Sequence, residues 1–290
     1  MVTEEQLEAL DLLLWLGNGK LAGARQFCNQ SSVSRRIANC LEIFGIGLDR
    51  QDGQYLLSEI KDYLLLERHL HQLLRLRAGQ RLRLEATHCI SYLLQQPPLP
   101  GWLLGSFDHR SVERMHLLLR QRVIDVWITS DTFDLPPDDD PDLAVLRLTH
   151  WPAWVLADAH HPLCHEAGLT NGDLDRFPVL AFPESIYPVM AGALDAIGFG
   201  ASHTRLPRYD RGSWNSRTAD EVTLSFGGSV SACGSPGQVK LEWDLGLVSG
   251  EALVLRRDLI SHPQVLLLVE RLRERFAQLQ PHCHDMTLLV

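Results

Sequence analysis

The sequence has no stretch of about 18 uncharged apolar residues, so neither a transmembrane helix nor a membrane partner is expected. Its first 17 residues carry Glu4 and Glu5 where an export signal needs positive charge, and they read as an amphipathic helix. The six cysteines (Cys28, Cys40, Cys89, Cys164, Cys233 and Cys283) are scattered without a Cys-x-x-Cys pair. That excludes the common zinc and dithiol spacings and fits reduced thiols in a cytoplasmic chain. A phosphate-binding Walker motif, a Gly-x-Ser-x-Gly elbow and a His-Glu-x-x-His zinc motif are all missing. With no catalytic set, no enzyme activity and no cofactor is expected.

An excess of positive charge is also lacking, since the net charge is −9. The deficit is uneven. Residues 1–80 carry 9 basic and 10 acidic side chains, while residues 81–290 carry 18 and 26. Between 20 and 50, Lys20, Arg25, Arg35, Arg36 and Arg50 face only Glu42 and Asp49, a local net of +3. Phosphate contacts are local, so this footprint outweighs the total.

The 290 residues suffice for one small domain and a larger one. Leu7, Leu10, Leu13 and Leu14 give one apolar stripe to a helix from about Glu4 to Leu16, which Gly17-Asn18-Gly19 stops. A short helix is predicted over Leu21 to Phe27, then a turn at Cys28-Asn29. A third helix is predicted from Gln30 to Phe44, with Asn29 as N-cap, Gly45 past its end, and Val33, Ile37 and Leu41 facing the core. Asp52-Gly53 between short apolar segments signals a hairpin, the wing of a winged helix-turn-helix. Ser58 is placed to cap a leucine-rich helix reaching about Ala78. Tyr63, Leu66, Leu70 and Leu73 repeat at spacings 3, 4 and 3, which calls for a partner helix, from a second subunit or from the same chain. From Gly79 onward strand and helix signals alternate, as in a mostly parallel α/β sheet. A strand is read at Val123–Ile128, an extended crossover at Leu148–Ala157, and a last amphipathic helix at Val265–Leu279.

The third helix carries the chemistry of base reading. The major groove admits one helix, and its N-terminal turns reach base edges. Gln30 can address adenine, and Ser31, Ser32 and Ser34 can donate or accept. Arg35 and Arg36 can fork onto guanine or hold phosphate, and Arg50 at the wing can lie along phosphates. An amphipathic helix with a solvated polar face is the alternative. The order of features favours DNA: short helix, capped polar-basic helix, Gly stop, hairpin, long leucine helix.

That order resembles the LysR-type transcriptional regulators. Ala22-Gly23 or Gly23-Ala24 stands for the family's small pair, and residues 29–37, Asn-Gln-Ser-Ser-Val-Ser-Arg-Arg-Ile, match its central stretch. Leu41-Glu42 and Gly45 follow suit, Leu48 and Arg50 stand near the wing positions, and Leu57-Ser58 precedes the linker helix. Further on, the 123–128 segment, His161-Pro162-Leu163 and the 174–180 segment match family stretches more loosely. There are departures. The wing lacks a phenylalanine and is one residue short, the helix-two leucine is displaced to Phe27, Lys20 replaces a capping serine, and the later glycine motif is reduced to Phe226-Gly227-Gly228.

The resemblance implies a winged helix-turn-helix over 1–58, a linker and dimerisation helix over 59–79, and a two-lobed, periplasmic-binding-protein-like (type 2) effector domain over 80–290. Lobe I would take about 80–152 and 256–290, and lobe II about 153–255. It also implies double-stranded DNA, a small-molecule effector and self-association to a dimer or tetramer as partners. By position after strand ends, Thr87, His88, Thr129, Ser130 and Ser185 are the effector-binding candidates. A regulator acting through protein contacts, or a small-molecule-binding module with little DNA binding, is the competing expectation.

Other constellations read as structure. His160-His161 with His165 is expected to be a turn, and the segment His282-Cys283-His284-Asp285 a tail past the last helix, neither of them a metal site. Asp138-Asp139-Asp140 reads as a solvated acidic loop, and Ser229–Gly237 as a polar surface loop.

Overall fold

A computed structural model describes residues 2–51, 53–180, 182–199, 203–204, 206, 209–235 and 237–289. Asp52, the first half of the expected Asp-Gly turn, lies outside them. In chain order the elements are α1 (Glu4–Leu16), α2 (Gly19–Arg25), α3 (Gln30–Phe44), β1 (Leu48–Gln51), β2 (Gln54–Leu57), α4 (Asp62–Ala78), β3 (Leu82–Ala86), α5 (Ser91–Gln95), β4 (Trp102–Leu104), α6 (Val112–Arg120), β5 (Val126–Thr129) and β6 (Leu143–Arg147). There follow β7 (Thr149–Asp158), α7 (Asn171–Leu174), β8 (Val179–Leu180), α8 (Pro188–Ala196), β9 (His203–Thr204), α9 (Arg211–Thr218), β10 (Ser225–Gly227), α10 (Ser229–Cys233), β11 (Gln238–Ser249), β12 (Ala252–Arg256), α11 (Pro263–Leu279) and β13 (Thr287–Leu288).

Packing divides the chain into two compact units. The first joins Met1–Glu85 with Pro100–Ser106 and Leu117–Val126; the second joins Ala86–Leu99, Phe107–His116 and Trp127–Val290.

In the first unit, Thr3 and Gln6 close a capping box on α1, and Gly17 ends it in the left-handed conformation that favours glycine. The expectation of a single apolar stripe on α1 is corrected: every residue from Ala9 to Leu16 is buried, Asp11 included. Two sets of neighbours cover the helix. α2 and α3 pack on it, and α4 and β3 meet it through polar groups. Arg68 Nε on α4 donates to Asp11 Oδ1 at 2.8 Å, and Arg83 Nη1 on β3 donates to Asp11 Oδ2 at 3.0 Å. Trp15 Nε1 donates to Glu85 at 2.9 Å. The network continues inside the unit. Asp125 accepts from the Arg83 backbone at 2.7 Å, from Gln72 at 2.8 Å and from Arg75 at 3.1 Å, and Arg122 donates to Gln72 at 2.5 Å. A buried charge survives only when paired, which is why these residues interlock.

α3 is capped by Asn29 and stopped by Gly45 as expected. Its buried stripe is Val33, Ile37, Cys40 and Phe44, with Leu41 only half-buried. α2 ends at Arg25 and not at Phe27, and Phe27 stands in the turn at φ 53, 91% exposed. It is therefore no displaced core leucine. β1 and β2 form the antiparallel wing, with Arg50 opposite Tyr55. Ser58 does not cap α4. Its Oγ accepts from Gly47 N at 2.8 Å and closes the base of the hairpin, while α4 begins after Lys61 without a side-chain cap. α4 buries Leu64, Arg68, Gln72, Arg75 and Leu76 on one face. β3 and β4 pair in parallel.

In the second unit, β12 pairs antiparallel with β6, Ala252 opposite Arg147 and Arg256 opposite Leu143. β7 is flanked by β10 and β11 and also receives β13, all antiparallel; β8 pairs with β9 in parallel. The mostly parallel expectation is thus corrected to a mixed α/β fold. Apolar runs report burial on both faces, not strand direction. The strand read at Val123–Ile128 starts at Val126, and the expected crossover is itself the long strand β7. Three loop readings are corrected too. Asp138 and Asp139 are exposed as expected, but Asp140 is buried, its Oδ1 accepting from Asp142 N and Leu143 N, and Arg257 donates to the Asp138 and Asp140 carbonyls. Residues 229–233 form α10 with Ser229 and Val230 buried. The segment after α11 is packed: Cys283 is fully buried and Asp285 accepts from Trp154 Nε1 at 2.8 Å. Short polar stretches look alike in sequence whether solvated or satisfied internally. His161 is a turn residue, as expected: its Nδ1 accepts from Leu163 N at 3.1 Å. Among the described residues no helix is long and apolar enough to cross a membrane, and no group of three or more His, Cys, Asp or Glu side chains is arranged to hold a metal ion.

Candidate nucleic-acid interface and effector cavity

The first unit presents α3 with its N-terminal turns outward. Asn29 Oδ1 accepts from Ser32 N at 2.9 Å and from Ser31 Oγ at 2.8 Å, fixing the start of the helix. Gln30, Ser31, Ser34 and Arg35 are exposed, and Ser32 is half-buried. Gln30 lies beside Gly19, the first residue of α2. Ser34 Oγ donates back to the Gln30 carbonyl at 3.1 Å. Arg36 is differently placed: its Nη1 donates to Gln26 Oε1 at 3.0 Å and contacts Cys28 Sγ at 3.5 Å, so it clamps the turn between α2 and α3. Gly23 makes that turn possible, since a Cβ there would stand 2.6 Å from the Cys28 carbonyl oxygen. Of the local cations, Arg25 is turned inward, donating to the Leu104 carbonyl at 2.6 Å. Arg50 is exposed on the wing, its guanidinium 5.4 Å over the Tyr55 ring. Lys20, Arg35 and Arg50 thus remain as exposed cations near a row of short polar side chains, which suits base edges and phosphates.

The second unit holds a cavity with about 60 Å³ of free space, walled by Thr87, His88, Ser130 and by residues the sequence did not single out. Strand ends place the first three. Thr87 follows β3 and Ser130 follows β5; their hydroxyls lie 3.1 Å apart, and Cys89 Sγ donates to Ser130 at 2.9 Å. Thr129, also a candidate, is fully buried behind the wall, its Oγ1 accepting from Asp131 N at 3.0 Å. Ser185, the fifth candidate, is an exposed turn residue outside the cavity lining.

Seven of the lining side chains carry aromatic or imidazole rings, and Asp131, Ser231 and Ser235 are among the polar ones. Phe182 stacks on Trp214 at 4.4 Å, and His109 lies 4.4 Å from Phe182 and 4.7 Å from Trp214, with His88 edge-on at 4.5 Å. Trp151, Tyr187 and Phe226 complete the set. Trp151 is held by Glu251, to which its Nε1 donates at 3.0 Å. Gly228 lies under the same ring, where any Cβ would overlap it. That gives the reduced glycine motif a packing reason.

The two histidines and Asp131 are all shifted toward their neutral forms. Burial, with Arg211 adding to it, pushes the His88 imidazole down to about 4. Burial and then His88 drive His109 well below the ordinary histidine value. Burial pushes the Asp131 carboxyl up to about 8, with Asp134 contributing. Among the described residues, His88 Nδ1 and both ring nitrogens of His109 have no hydrogen-bond partner. Buried unsatisfied groups are costly, and gathered at one cavity they mark where a ligand's polar atoms would bond. A lone His or aromatic residue in sequence carries no such signal, because only the fold brings residues 88, 109, 182 and 214 together.

The architecture, a winged helix-turn-helix, a long helix and a mixed α/β domain, defines a class. It is the fold of full-length LysR-type regulators. A full-length OxyR variant from Pseudomonas aeruginosa matches 99% of this chain and 98% of its own, at TM-score 0.53 and 16% identity. Full-length CbnR complexed with its target DNA matches 94% of this chain and 100% of its own, at 0.51 and 17%. The regulatory domain of MetR, a LysR family regulator from N. meningitidis, covers 73% of this chain and 99% of its own, at 0.52 and 15%. No family model and no curated relative matches the sequence.

Proposed function

We propose that this chain is a LysR-type, ligand-responsive, DNA-binding regulator of transcription and not an enzyme. The observation that carries it is the outward N-terminal face of α3, where Gln30, Ser31, Ser34 and Arg35 are exposed on a capped helix beside a wing bearing Arg50. CbnR, which shares the fold, is complexed with its target DNA. The working division is 1–58 for DNA, 59–79 for self-association and 80–290 for the effector. Ligand selection belongs to the cavity of the second unit. Its neutral imidazoles, protonated Asp131 and stacked rings favour an uncharged, flat molecule with both donors and acceptors.

The dimer reading rests on α4, where Tyr63, Leu66, Leu70, Leu73 and Leu74 are 48–68% exposed along one face. The test is selection of bound fragments from a genomic DNA pool, followed by shift assays over a salt series. Specific binding with a steep salt slope supports the proposal. Arg35→Ala should weaken it by about 5- to 150-fold, on the order of 1–3 kcal/mol, without changing stability. Absence of any selected fragment at low salt would refute it and favour the second reading, a regulator working through protein contacts. The short wing, with acidic Asp49 exposed on β1, is the observation behind that alternative.

A further inference from the structure

Two cysteines fifty residues apart in sequence meet in the second unit. Cys233 Sγ on α10 lies 3.3 Å from Cys283 Sγ in the turn after α11, and both are free thiols. Cys233 is exposed and Cys283 is fully buried. The contact is held from both sides. Cys283 N donates to the Leu279 carbonyl at 3.1 Å, and Met286 N donates to the Cys283 carbonyl at 3.0 Å. Two residues on, Asp285 accepts from Ser229 Oγ at the start of α10 and from Lys240 Nζ at 2.7 Å; Lys240 also donates to Ser229 at 2.9 Å. Tyr92 Oη donates to the Val230 carbonyl at 2.9 Å. Neither segment is loose, so the sulfurs stay side by side. A disulfide needs about 2.05 Å, an approach of roughly 1.3 Å.

We propose that Cys233 and Cys283 are a redox pair that a hydroperoxide oxidises to an intrachain disulfide, fastening α10 to the segment after α11. The exposed thiol reacts first. The Cys233 thiolate attacks one peroxide oxygen, the O–O bond breaks, and the departing oxygen leaves as water or an alcohol, giving Cys233 sulfenic acid. Cys283 then attacks that sulfur and the S–O bond breaks. The Cys283 proton goes with the departing hydroxide as water. Two thiols lose two electrons and two hydrogens, and one peroxide is reduced. The roles follow from exposure: a peroxide reaches Cys233, whereas burial and the neighbouring sulfur raise the Cys283 thiol to about 12 and leave it the resolving partner. Ser231 and Ser235 flank Cys233 and line the effector cavity, so the bond would pin one cavity wall.

The full chain, reduced and freed of reductant, is treated with one equivalent of hydrogen peroxide, alkylated with N-ethylmaleimide under denaturing conditions and digested without reduction. The expected product is one peptide pair joining Cys233 to Cys283, two hydrogens lighter than the separate peptides and restored by dithiothreitol. Cys28, Cys40, Cys89 and Cys164 should be fully alkylated. Cys233→Ser, a surface change, should abolish the cross-link and leave Cys283 alkylated. Cys283→Ala should leave a sulfenic acid at Cys233 that dimedone traps. Full alkylation of both thiols in the treated wild type, a cross-link only between chains, or a cross-link from Cys283 to another cysteine in Cys233→Ser would each overturn the proposal.

Discussion

Removing the Asp11 carboxylate should unfold the first unit far more readily than removing any surface charge from the same helix. Asp11 is 2% exposed and is the carboxylate for two guanidiniums, Arg68 at 2.8 Å and Arg83 at 3.0 Å, themselves 0% and 2% exposed. In Asp11→Ala both cations stay behind. Arg68 keeps one bond, to Gln121 Oε1 at 3.2 Å, and Arg83 keeps the Val123 carbonyl at 2.8 Å. Those acceptors are neutral. Arg83 is already held below the ordinary arginine value by burial and then by Arg75, so it has no spare stabilisation. Breaking a buried pair by deleting one partner costs about 3–5 kcal/mol, because the other charge remains buried. Glu8 on the same helix is the comparison. Its bridge to Arg81 is 2.6 Å long but 34% exposed on the arginine side, so Glu8→Ala should cost no more than about 1 kcal/mol. Urea unfolding followed by circular dichroism at 222 nm reads both in one protein. A triple replacement, Asp11→Leu with Arg68→Met and Arg83→Met, should recover most of the loss, since an apolar cluster of similar volume replaces a buried triad at little cost. Should Asp11→Ala prove no worse than Glu8→Ala, water must reach the two arginines, and the buried network would be no constraint on α1.

Three further outcomes follow from the same geometry. Leu66→Glu with Leu70→Glu places charge on the exposed face of α4, where these residues are 68% and 53% exposed; size-exclusion chromatography with light scattering should show a smaller assembly with an unchanged circular dichroism spectrum. Gly228→Ala puts a methyl group into the Trp151 ring and should cost about 1–3 kcal/mol as overpacking, seen as a lower melting temperature. His88 titrates near 4 when folded and near 6.5 when unfolded, so between those values the unfolded chain binds more protons. Its contribution is intact above about 6.5 and is lost as pH falls toward about 4. His88→Phe should flatten stability against pH in that window by one proton, a difference of about 3 kcal/mol across it. A slope identical to wild type would show that His88 is solvated.

The helix proposed to read DNA was legible from local sequence alone. Asn29, Gly45 and the Val33–Ile37 spacing act over a few residues, so the cap, the stop and the buried side of α3 could be read without a fold, and the polar face followed by elimination. The α4 face behaved alike: Tyr63, Leu66, Leu70 and Leu73 repeat in sequence and stand exposed along one side. What the other face of α4 and the whole of α1 do depends instead on long-range packing. Asp11, Arg68, Arg83 and Asp125 look like solvated charges in sequence, because pairing across up to 72 residues leaves no periodic trace. The cavity divides along the same line. Thr87, His88 and Ser130 were reachable because ligands gather at strand ends. His109, Phe182, Trp214 and Gly228 were not, since their meeting depends on how β7, β10 and α9 pack. Local rules locate elements; which polar groups are buried together, as at Cys233 and Cys283, is settled by the long-range packing that removes water from around them.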